Sequence, residues 1–338
     1  MLPTTSRAWH LLARPKGWPK PEDVELREVE IPELAPGRLL VRNLFLSVDP
    51  AMRGRMNDAK SYVPPFKLNE PMEGGAVGRV LASTADGFAE GDYVLHWLGW
   101  REYTVVDAEG VTKVDPNAAA LSAYLGVLGM TGLTAWSGLL DVASFKAGEA
   151  VFVSGAAGAV GSQVGQIAKL KGASRVIGSA GSAEKVELLV EEYGFDAAFD
   201  YKEDTPVADQ LAKAAPDGID VYFDNVGGEH LEAAIGALHT HGRVAMCGAI
   251  AQYNATESTP APRNLALSIG KRLRLQGFIV IDHYDRRDAF FAEVGGWLKD
   301  GKLKYRETVV EGIENTFDAF LGMLRGENTG KMVVALPE

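Results

Sequence analysis

The segment from Val151 to Lys185 most narrows the folds open to this chain. It begins with a short apolar stretch, passes through small residues, and then repeats apolar side chains at helical spacing, at Val160, Val164, Ile167 and Ala168. That spacing predicts a helix, and the following "SRVIGSAG" predicts a second strand. A strand, a glycine-rich turn, a helix and a second strand form a βαβ unit, which requires a parallel sheet.

The turn inside this unit, Ala156-Ala157-Gly158-Ala159-Val160-Gly161, follows the dinucleotide fingerprint with alanine in place of the first glycine. Gly158 would let the backbone approach a pyrophosphate, and Gly161 would let the helix pack close to the strand. The helix N-terminus offers N–H groups and a positive dipole end to phosphates. Small residues also occur at strand–helix turns that bind nothing, but the complete βαβ unit favours a dinucleotide.

The end of the second predicted strand indicates which dinucleotide. An NAD site usually places Asp or Glu there to bind the ribose 2′-OH. Residues 178–182 of this chain contain no acid, and Lys185 follows on the first turn of the next helix. A lysine would supply a counter-charge to a 2′-phosphate, although a solvated helix residue is an equal reading of it. The missing acid favours NADP(H).

The pattern on either side predicts two kinds of domain. Residues 25–116 show short alternating strands punctuated by Gly and Pro, which is typical of a twisted antiparallel β domain. From residue 149 strands and helices alternate, which predicts a doubly wound parallel sheet. Strands return from about residue 301. We expect a β domain over 1–120, a Rossmann domain over 121–298, and a return to the first domain over 299–338, with cofactor and substrate meeting in a cleft between domains.

Composition limits the partners. The 338 residues carry a net charge of −11, which argues against nucleic acid or an anionic membrane as a partner. No run of 18 apolar residues and no signal-peptide core is present. The single cysteine, Cys247, excludes an intramolecular disulfide and fits a reducing compartment. We therefore expect a cytoplasmic protein.

Several motifs, in order, make the chain recognisable: "LFLSVDPAMRGRM", "LGMTGLTAW", "AAGAVGSQVGQIAKLKG", "DYK", "YFDNVGGE", "GRVAMCGAIAQYN" and "GENTGKMVV". The chain resembles the zinc-independent prostaglandin reductase and alkenal double-bond reductase family of medium-chain dehydrogenases/reductases, which includes bacterial curcumin-type reductases. The resemblance implies a GroES-like antiparallel β domain plus a Rossmann domain. It also implies NADPH-dependent reduction of the carbon–carbon double bond of α,β-unsaturated ketones and aldehydes, and a homodimer formed through the edge strand around 273–280.

The zinc alcohol dehydrogenases of the same superfamily carry a Gly-His-Glu motif whose histidine binds the catalytic zinc. At the similar place this chain has Met72 before Glu73. Glu73 and His96 alone do not supply the three protein ligands that a zinc site needs, and the remaining histidines are scattered, as surface or hydrogen-bonded residues. We therefore predict no metal. A conjugated enone needs no Lewis acid, because a hydrogen-bond donor at the carbonyl oxygen and a proton source for the α-carbon suffice.

Two tyrosines are candidates for that donor. Tyr253 follows a strand end on the carboxyl side of the sheet, and Tyr62 lies in a Pro-containing loop of the first domain. A phenol with an ordinary pKa near 10 remains protonated at neutral pH. Either residue could instead be a buried aromatic, and the cofactor's ribose hydroxyl is a competing donor.

The resemblance also implies the cofactor contacts. Those at the pyrophosphate are Gly158, Ala159, Val160 and Gly161, and those at the 2′-phosphate are Lys185 and Tyr201. Those nearer the nicotinamide are Asn225, Cys247, Gly248, Ala249, Ile250, Ala251, Gln252, Tyr253, Phe278, Ile279, Val280 and, from the tail, Asn328. Two other functions stay open: a zinc-free NADPH quinone reductase, and an NADPH-binding protein without turnover.

Overall fold

The computed structural model describes residues 2–337, which form two compact units. The first unit contains the described residues up to Gly126 and those from Glu307 onward, and the second contains Val127–Arg306. Within residues 2–337, no helix combines the length and the apolar character that crossing a bilayer demands.

The strands within these residues are β1 (Thr5–Leu11), β2 (Val24–Glu30), β3 (Arg38–Ser47), β4 (Ala76–Ser83), β5 (Tyr93–His96), β6 (Tyr103–Asp107), β7 (Thr112–Lys113), β8 (Ala150–Val153), β9 (Arg175–Ala180), β10 (Ala197–Asp200), β11 (Ile219–Asp224), β12 (Leu238–Met246), β13 (Arg274–Gly277), β14 (Glu307–Glu311) and β15 (Lys331–Ala335). The α-helices are α1 (Ala51–Arg55), α2 (Met130–Ser137), α3 (Gly161–Leu170), α4 (Ala183–Glu187), α5 (Val207–Ala214), α6 (Gly228–Ala237), α7 (Leu267–Lys271), α8 (Arg287–Lys299) and α9 (Thr316–Leu324). Single π-helical turns, Gly138–Val142 and Leu188–Glu192, extend α2 and α4.

The first unit is built on a sheet in the order β14-β15-β3-β4-β5-β7, with β6 also paired to β3, and on the separate hairpin-like pair β1-β2. All of these pairs are antiparallel except β14-β15. The tail enters this sheet because β15 pairs with β3, with Val333 opposite Ser47. Alternating apolar residues such as Leu39 and Val41 point into a buried core on one face of this sheet, and Leu40 between them is buried on the other face.

The second unit is a six-stranded parallel sheet in the order β10-β9-β8-β11-β12-β13. All four residues of β8 are buried, as is typical of a central strand covered on both faces. The strand order reverses between β8 and β11, so their carboxyl ends open at a topological switch point, where ligands of such folds bind. The predicted fold class, an antiparallel β domain plus a doubly wound Rossmann sheet, is confirmed.

One face of the parallel sheet carries the core that matters for the site. Phe152 of β8 and Tyr222 of β11 stack with ring centroids 5.0 Å apart. Ile235 of α6 is fully buried in the same cluster. The apolar rings lie in mid-strand, and polar side chains follow them on the same strands toward the carboxyl edge.

Candidate active site

The glycine-rich turn joins β8 to α3. Gly155 has a φ of +59°, a left-handed conformation that favours glycine, so it supplies the sharp turn for which the fingerprint normally uses its first glycine. A Cβ on Gly161 would lie 2.4 Å from the carbonyl oxygen of Gly155. The absence of that atom lets α3 begin against the turn. Gly158, Ala159 and Val160 are half-buried at the helix N-terminus, where the first N–H groups have no partner within the helix.

Four residues gather beyond the end of β9, and we call Gly181, Lys185, Tyr201 and Lys202 the lysine cluster. A Cβ on Gly181 would lie 2.9 Å from the Tyr201 hydroxyl and 3.2 Å from Cε of Lys202. Burial lowers the pKa of Lys185, and the nearby charge of Lys202 lowers it further. Burial raises the pKa of Tyr201. The cluster therefore combines two ammonium groups and a protonated phenol, a donor set that fits a phosphate.

Lys202 was missed by the sequence reasoning, although it adjoins Tyr201 in "DYK". The signal was available in the pairing of the strands. Asp200 of β10 lies opposite Ala180 of β9, so the residues that follow the two strands emerge side by side.

The loop after β12, residues 247–253, packs against the segment that follows β11. The backbone N–H groups of Cys247 and Gly248 both donate to the carbonyl oxygen of Asp224, at 2.9 and 3.0 Å. Ile250 N donates to the carbonyl oxygen of Asn225 at 3.3 Å. We call this segment the β12 loop. It brings six of the predicted residues besides Tyr253 onto the edge that also holds Asn225.

Tyr253 folds back over the β12 loop. Its hydroxyl oxygen accepts a hydrogen bond from Ala249 N at 3.2 Å, and a Cβ on Gly248 would lie 3.2 Å from the same oxygen. Asn225 donates from Nδ2 to the carbonyl oxygen of Ser154 at 2.8 Å. The sequence-predicted Tyr253 and Asn225 therefore share one end of the site with the start of the glycine turn.

A buried polar network lies directly beneath this end, and the sequence reasoning missed it. The Tyr222 hydroxyl is 2.9 Å from Oγ of Ser154 and 2.7 Å from Oδ1 of Asp224. Asp224 is only 1% exposed, and burial raises its pKa while the hydrogen bonds it accepts oppose that rise. Ser154 and Asp224 each follow or end a buried strand, so the position rule that singled out Tyr253 would also have found them.

Phe278, Ile279 and Val280 follow β13, as predicted from the sequence. Phe278 N is 3.4 Å from the carbonyl oxygen of Met246, and its ring meets that of Phe223 edge-on at 6.1 Å. Val280 is buried and begins the 3-10 turn Val280–Arg286.

The remaining two candidates lie in the first unit. Tyr62 is 55% exposed, in a loop that Arg55 holds. Arg55 donates from Nε to the carbonyl oxygen of Pro64 at 3.0 Å, and its guanidinium lies 4.1 Å from the ring centroid of Phe66. Asn328 donates from Nδ2 to the carbonyl oxygen of Gly330 at 2.7 Å, which fixes its side chain within its own turn.

The two residues weighed as metal ligands are engaged elsewhere. Glu73 pairs with Arg55 at 3.0 Å. His96 is buried, with Nε2 2.8 Å from Oδ1 of Asn43 and Nδ1 accepting from Leu98 N, and burial lowers its pKa to about 3. No group of three or more His, Cys, Asp or Glu with metal-binding geometry is present in residues 2–337.

Burial determines the chemical character of two other side chains, Cys247 and His230. Burial raises the pKa of the Cys247 thiol to about 12, with the charge of Asp224 adding to the effect, so the thiol is a poor nucleophile at neutral pH. His230 departs from the expectation of a surface or hydrogen-bonded histidine. It is buried against Phe152 and Tyr201, and its Nε2 has no hydrogen-bond partner in the described part of the chain.

Comparison with known proteins agrees with this arrangement. Residues 7–114 match the family described as the N-terminal domain of oxidoreductase, and residues 159–294 match the family described as zinc-binding dehydrogenase. The chain is 44% identical over 334 residues to the NADPH-dependent curcumin reductase of Escherichia coli, covering 97% of this chain and 96% of that one. It is also 44% identical to the NADP(+)-dependent 2-alkenal reductase of Nicotiana tabacum, covering 94% of each.

A solved structure gives the same result in three dimensions. The crystal structure of CurA in complex with NADPH from Vibrio vulnificus superposes with a TM-score of 0.93 at 45% sequence identity, covering 98% of this chain and 99% of that one. Identity at this level over nearly the whole chain establishes common descent and common fold. The chain therefore belongs to the zinc-independent medium-chain dehydrogenase/reductase family, which includes the alkenal and curcumin reductases.

Proposed function

We propose that this protein uses NADPH to reduce the carbon–carbon double bond of α,β-unsaturated ketones and aldehydes. The observation that carries the proposal is the arrangement of groups along one edge of the parallel sheet. This edge holds the glycine turn, the lysine cluster and the β12 loop with Tyr253. Over almost its full length the chain is also similar to a curcumin reductase and a 2-alkenal reductase.

The donor set along this edge fits NADP(H). The absence of a Cβ at Gly161 lets α3 begin directly against the turn, so that its first N–H groups lie at the sheet edge, and the absence of a Cβ at Gly181 leaves room beside the Tyr201 hydroxyl. Lys185 with Lys202 supplies positive charge where a 2′-phosphate would lie. We assign the pyrophosphate to the turn 158–161. We assign the ribose and nicotinamide to Asn225, the β12 loop and 278–280, with Asn328 as a further contact.

Bound NADPH supplies a hydride for the β-carbon of the substrate. The protein's task is then to stabilise the negative charge that develops on the carbonyl oxygen and to deliver a proton to the α-carbon. Tyr253 is our first candidate for the hydrogen bond to that oxygen, since the β12 loop holds its hydroxyl beside Gly248. Tyr62, on an exposed loop, is the second. No metal enters this scheme.

Product analysis tests the proposal. Purified protein is mixed with NADPH or NADH and a medium-chain 2-alkenone, and the product is identified by mass and NMR. A saturated ketone formed with NADPH, and little with NADH, is expected. An allylic alcohol would contradict the assignment. Turnover of quinones alone would indicate a quinone reductase, and tight NADPH binding with no turnover would indicate a non-catalytic protein.

The donor is tested separately. Tyr253→Phe should lower kcat by about 10–100-fold if its hydroxyl serves the carbonyl oxygen, within the range for a positioned proton donor. Tyr193→Phe is the matched control, since the Tyr193 hydroxyl is buried without a hydrogen-bond partner among residues 2–337. Full activity in both Tyr253→Phe and Tyr62→Phe would leave the donor role to the cofactor's ribose hydroxyl.

We also propose that the protein is a cytoplasmic homodimer. The support for the dimer is the position of β13, which among the strands of residues 2–337 pairs with β12 alone and forms the outer edge of the parallel sheet. An open strand edge favours pairing with a second copy, and Ile269 on the preceding helix α7, which is 81% exposed, offers an apolar side chain to such a contact. Ile269→Asp should shift the mass measured by light scattering toward a monomer, whereas Val309→Asp on β14 should not.

A further inference from the structure

The buried network beneath the β12 loop joins three strands at the site. Oγ of Ser154, at the end of β8, accepts a hydrogen bond from Asn225 N at 3.0 Å. Tyr222 of β11 bridges Ser154 and Asp224, and Asp224 holds the β12 loop through its backbone carbonyl. The glycine turn and the loop that carries Tyr253 are therefore connected through a single set of buried hydrogen bonds.

Each hydroxyl of the network has one hydrogen, and this limits which groups donate and which accept. The Tyr222 hydroxyl has one hydrogen and lies closer to Oδ1 of Asp224 (2.7 Å) than to Oγ of Ser154 (2.9 Å). If that hydrogen goes to Asp224, the Ser154 hydroxyl donates to Tyr222, and Ser154 is left free to accept from Asn225 N. Each hydrogen is then used once.

Oδ1 of Asp224 is an acceptor on every side. Besides the Tyr222 hydroxyl, it accepts from Gly227 N at 2.7 Å and from Val226 N at 3.0 Å. Three donors converging on one oxygen fit an ionised carboxylate, and hydrogen bonds to a charged acceptor are the strong ones. Gly227 is the residue that precedes α6, so the same carboxylate fixes the start of that helix.

The backbone carbonyl group of Asp224 holds the β12 loop. Cys247 N and Gly248 N both donate to the Asp224 carbonyl oxygen, and the Tyr253 hydroxyl lies over Gly248. A shift of Asp224 would therefore move the peptide on which Tyr253 rests. Asp224 is buried and does not reach the site surface, so its influence passes through the loop.

We propose that Asp224, held by Tyr222 and Ser154, is a positioning residue for hydride transfer. It keeps the β12 loop at a fixed position relative to the glycine turn. The effect on turnover rests on the proposed function, in which the β12 loop lies beside the reacting end of the cofactor. The anchoring of the loop does not depend on it. A displacement of about 1 Å at reacting groups can cost on the order of 100-fold in rate, which sets the expected scale.

The test uses two isosteric variants of the full-length protein, Asp224→Asn and Tyr222→Phe, with Ile235→Val and Ile235→Ala as controls. Ile235 is buried in the same apolar core as Tyr222 and its side chain makes no hydrogen bond, so its two variants bracket a range of stability loss while every hydrogen-bonding group of the network is kept. For each protein three quantities are measured: the Tm, the Kd for NADPH by fluorescence, and the rate constant for hydride transfer in a single turnover. Backbone amide exchange of residues 247–253 is followed by mass spectrometry in the absence of any ligand.

We expect Asp224→Asn to slow hydride transfer by about 10–100-fold while the Kd for NADPH changes by less than about 3-fold, because the lysine cluster and the turn stay intact. Amide exchange in the β12 loop should accelerate at the same time. Tyr222→Phe should have a smaller effect of the same kind, since the Ser154 hydroxyl, now 3.5 Å from Oδ1 of Asp224, can donate to it directly. Loop exchange and hydride transfer like those of an Ile235 variant of equal Tm would overturn the proposal.

Failure of the proposed function would look different. If the wild-type protein reduces quinones and not enones, hydride transfer is measured to the quinone and the same comparison applies. If the protein reduces nothing, accelerated exchange of the β12 loop in Asp224→Asn still supports the anchoring role and rejects only the catalytic one. Unchanged exchange there rejects both.

Discussion

The two ends of the site are built on different physical principles. At the lysine cluster, the Tyr201 hydroxyl and the Lys202 side chain lie beside Gly181, Lys185 is close enough to feel the charge of Lys202, and charge is the dominant feature. At the β12 loop, backbone and side-chain hydrogen bonds converge on Asp224 beneath the surface. The first end can attract a doubly charged group from a distance, whereas the second can hold atoms in place.

This difference matches the role that we propose for each end. Discrimination of NADPH from NADH requires only that a phosphate be favoured, and an ammonium group on a flexible stem does this without exact geometry. Hydride transfer depends on the placement of reacting atoms, which a dense buried network provides. Between the two ends, the glycine turn has to serve both, so a change there should have the largest effect of all.

Gly161→Ala tests the turn. The new Cβ would lie 2.4 Å from the Gly155 carbonyl oxygen and 2.8 Å from Cα of Ala156, both backbone atoms that cannot rotate away. We expect the free energy of unfolding to fall by about 3 kcal/mol, the upper end for overpacking. NADPH affinity should fall by roughly 100-fold as the start of α3 moves, equal to about 2.7 kcal/mol. Urea unfolding and fluorescence titration measure the two quantities.

Gly158→Ala is the control for that experiment. Its Cβ would lie 3.3 Å from the Gly155 carbonyl oxygen, which a small local shift can accommodate. An equal loss of NADPH affinity in the two variants would mean that close approach of the cofactor, and not the packing of α3, is the reason for glycine at both positions.

The lysine cluster is tested by cofactor preference. Lys185→Ala should raise the KM for NADPH by about 10–100-fold and leave the KM for NADH nearly unchanged, because a half-buried ammonium bound to a phosphate contributes about 1.5–3 kcal/mol. Lys202→Ala should have a smaller effect, about 2–5-fold, since exposed charges are screened. Both effects should shrink as salt rises.

Lys213→Ala, on the exposed side of α5, controls for the change in net charge. If it raises the KM for NADPH as much as Lys202→Ala does, Lys202 acts only through overall charge. A parallel rise in the KM for NADH in Lys185→Ala would mean that this lysine supports the fold and does not read the 2′-phosphate.

Local patterns carried most of the fold. The glycine turn, the helical spacing from Val160 and the strand "SRVIGSAG" are contiguous in sequence, so their structure follows from nearby residues. Tyr253 was found because it follows a strand, and the carboxyl ends of parallel strands share one edge. Asn225 was predicted from the family resemblance, and it lies on that same edge. The sequence therefore predicted both the fold and the edge on which the candidates lie.

The contacts that the sequence did not predict depend on pairing between strands that are distant in sequence. Lys202 meets Gly181 only through the register of β9 and β10, and Ser154 meets Tyr222 only because β8 and β11 are neighbours. The burial of His230 could have been read locally, because it stands four residues before Ala234 on the apolar side of α6. Polar residue type outweighed position in that case.

Two buried histidines extend the comparison to pH. His96, in the first unit, has both ring nitrogens in hydrogen bonds, whereas Nε2 of His230 has no hydrogen-bond partner among residues 2–337. Burial lowers the pKa of His230 to about 4, so the native ring stays neutral as the pH falls. Its ring contacts Tyr201 edge-on at 5.3 Å, which places an uncharged imidazole beneath the lysine cluster.

His230→Phe should make the protein less sensitive to acid. In the unfolded chain the histidine binds a proton below a pKa of about 6.5, while the native ring binds none until about pH 4. The unfolded state therefore holds more protons in this window, and stability falls as the pH falls. Between pH 7 and pH 5.5 the wild type should lose about 1 kcal/mol more than His230→Phe in urea unfolding. His96 is unchanged in both proteins, so its contribution cancels. Equal losses would mean that the native His230 takes up a proton, and that the lysine cluster stands over a charged ring.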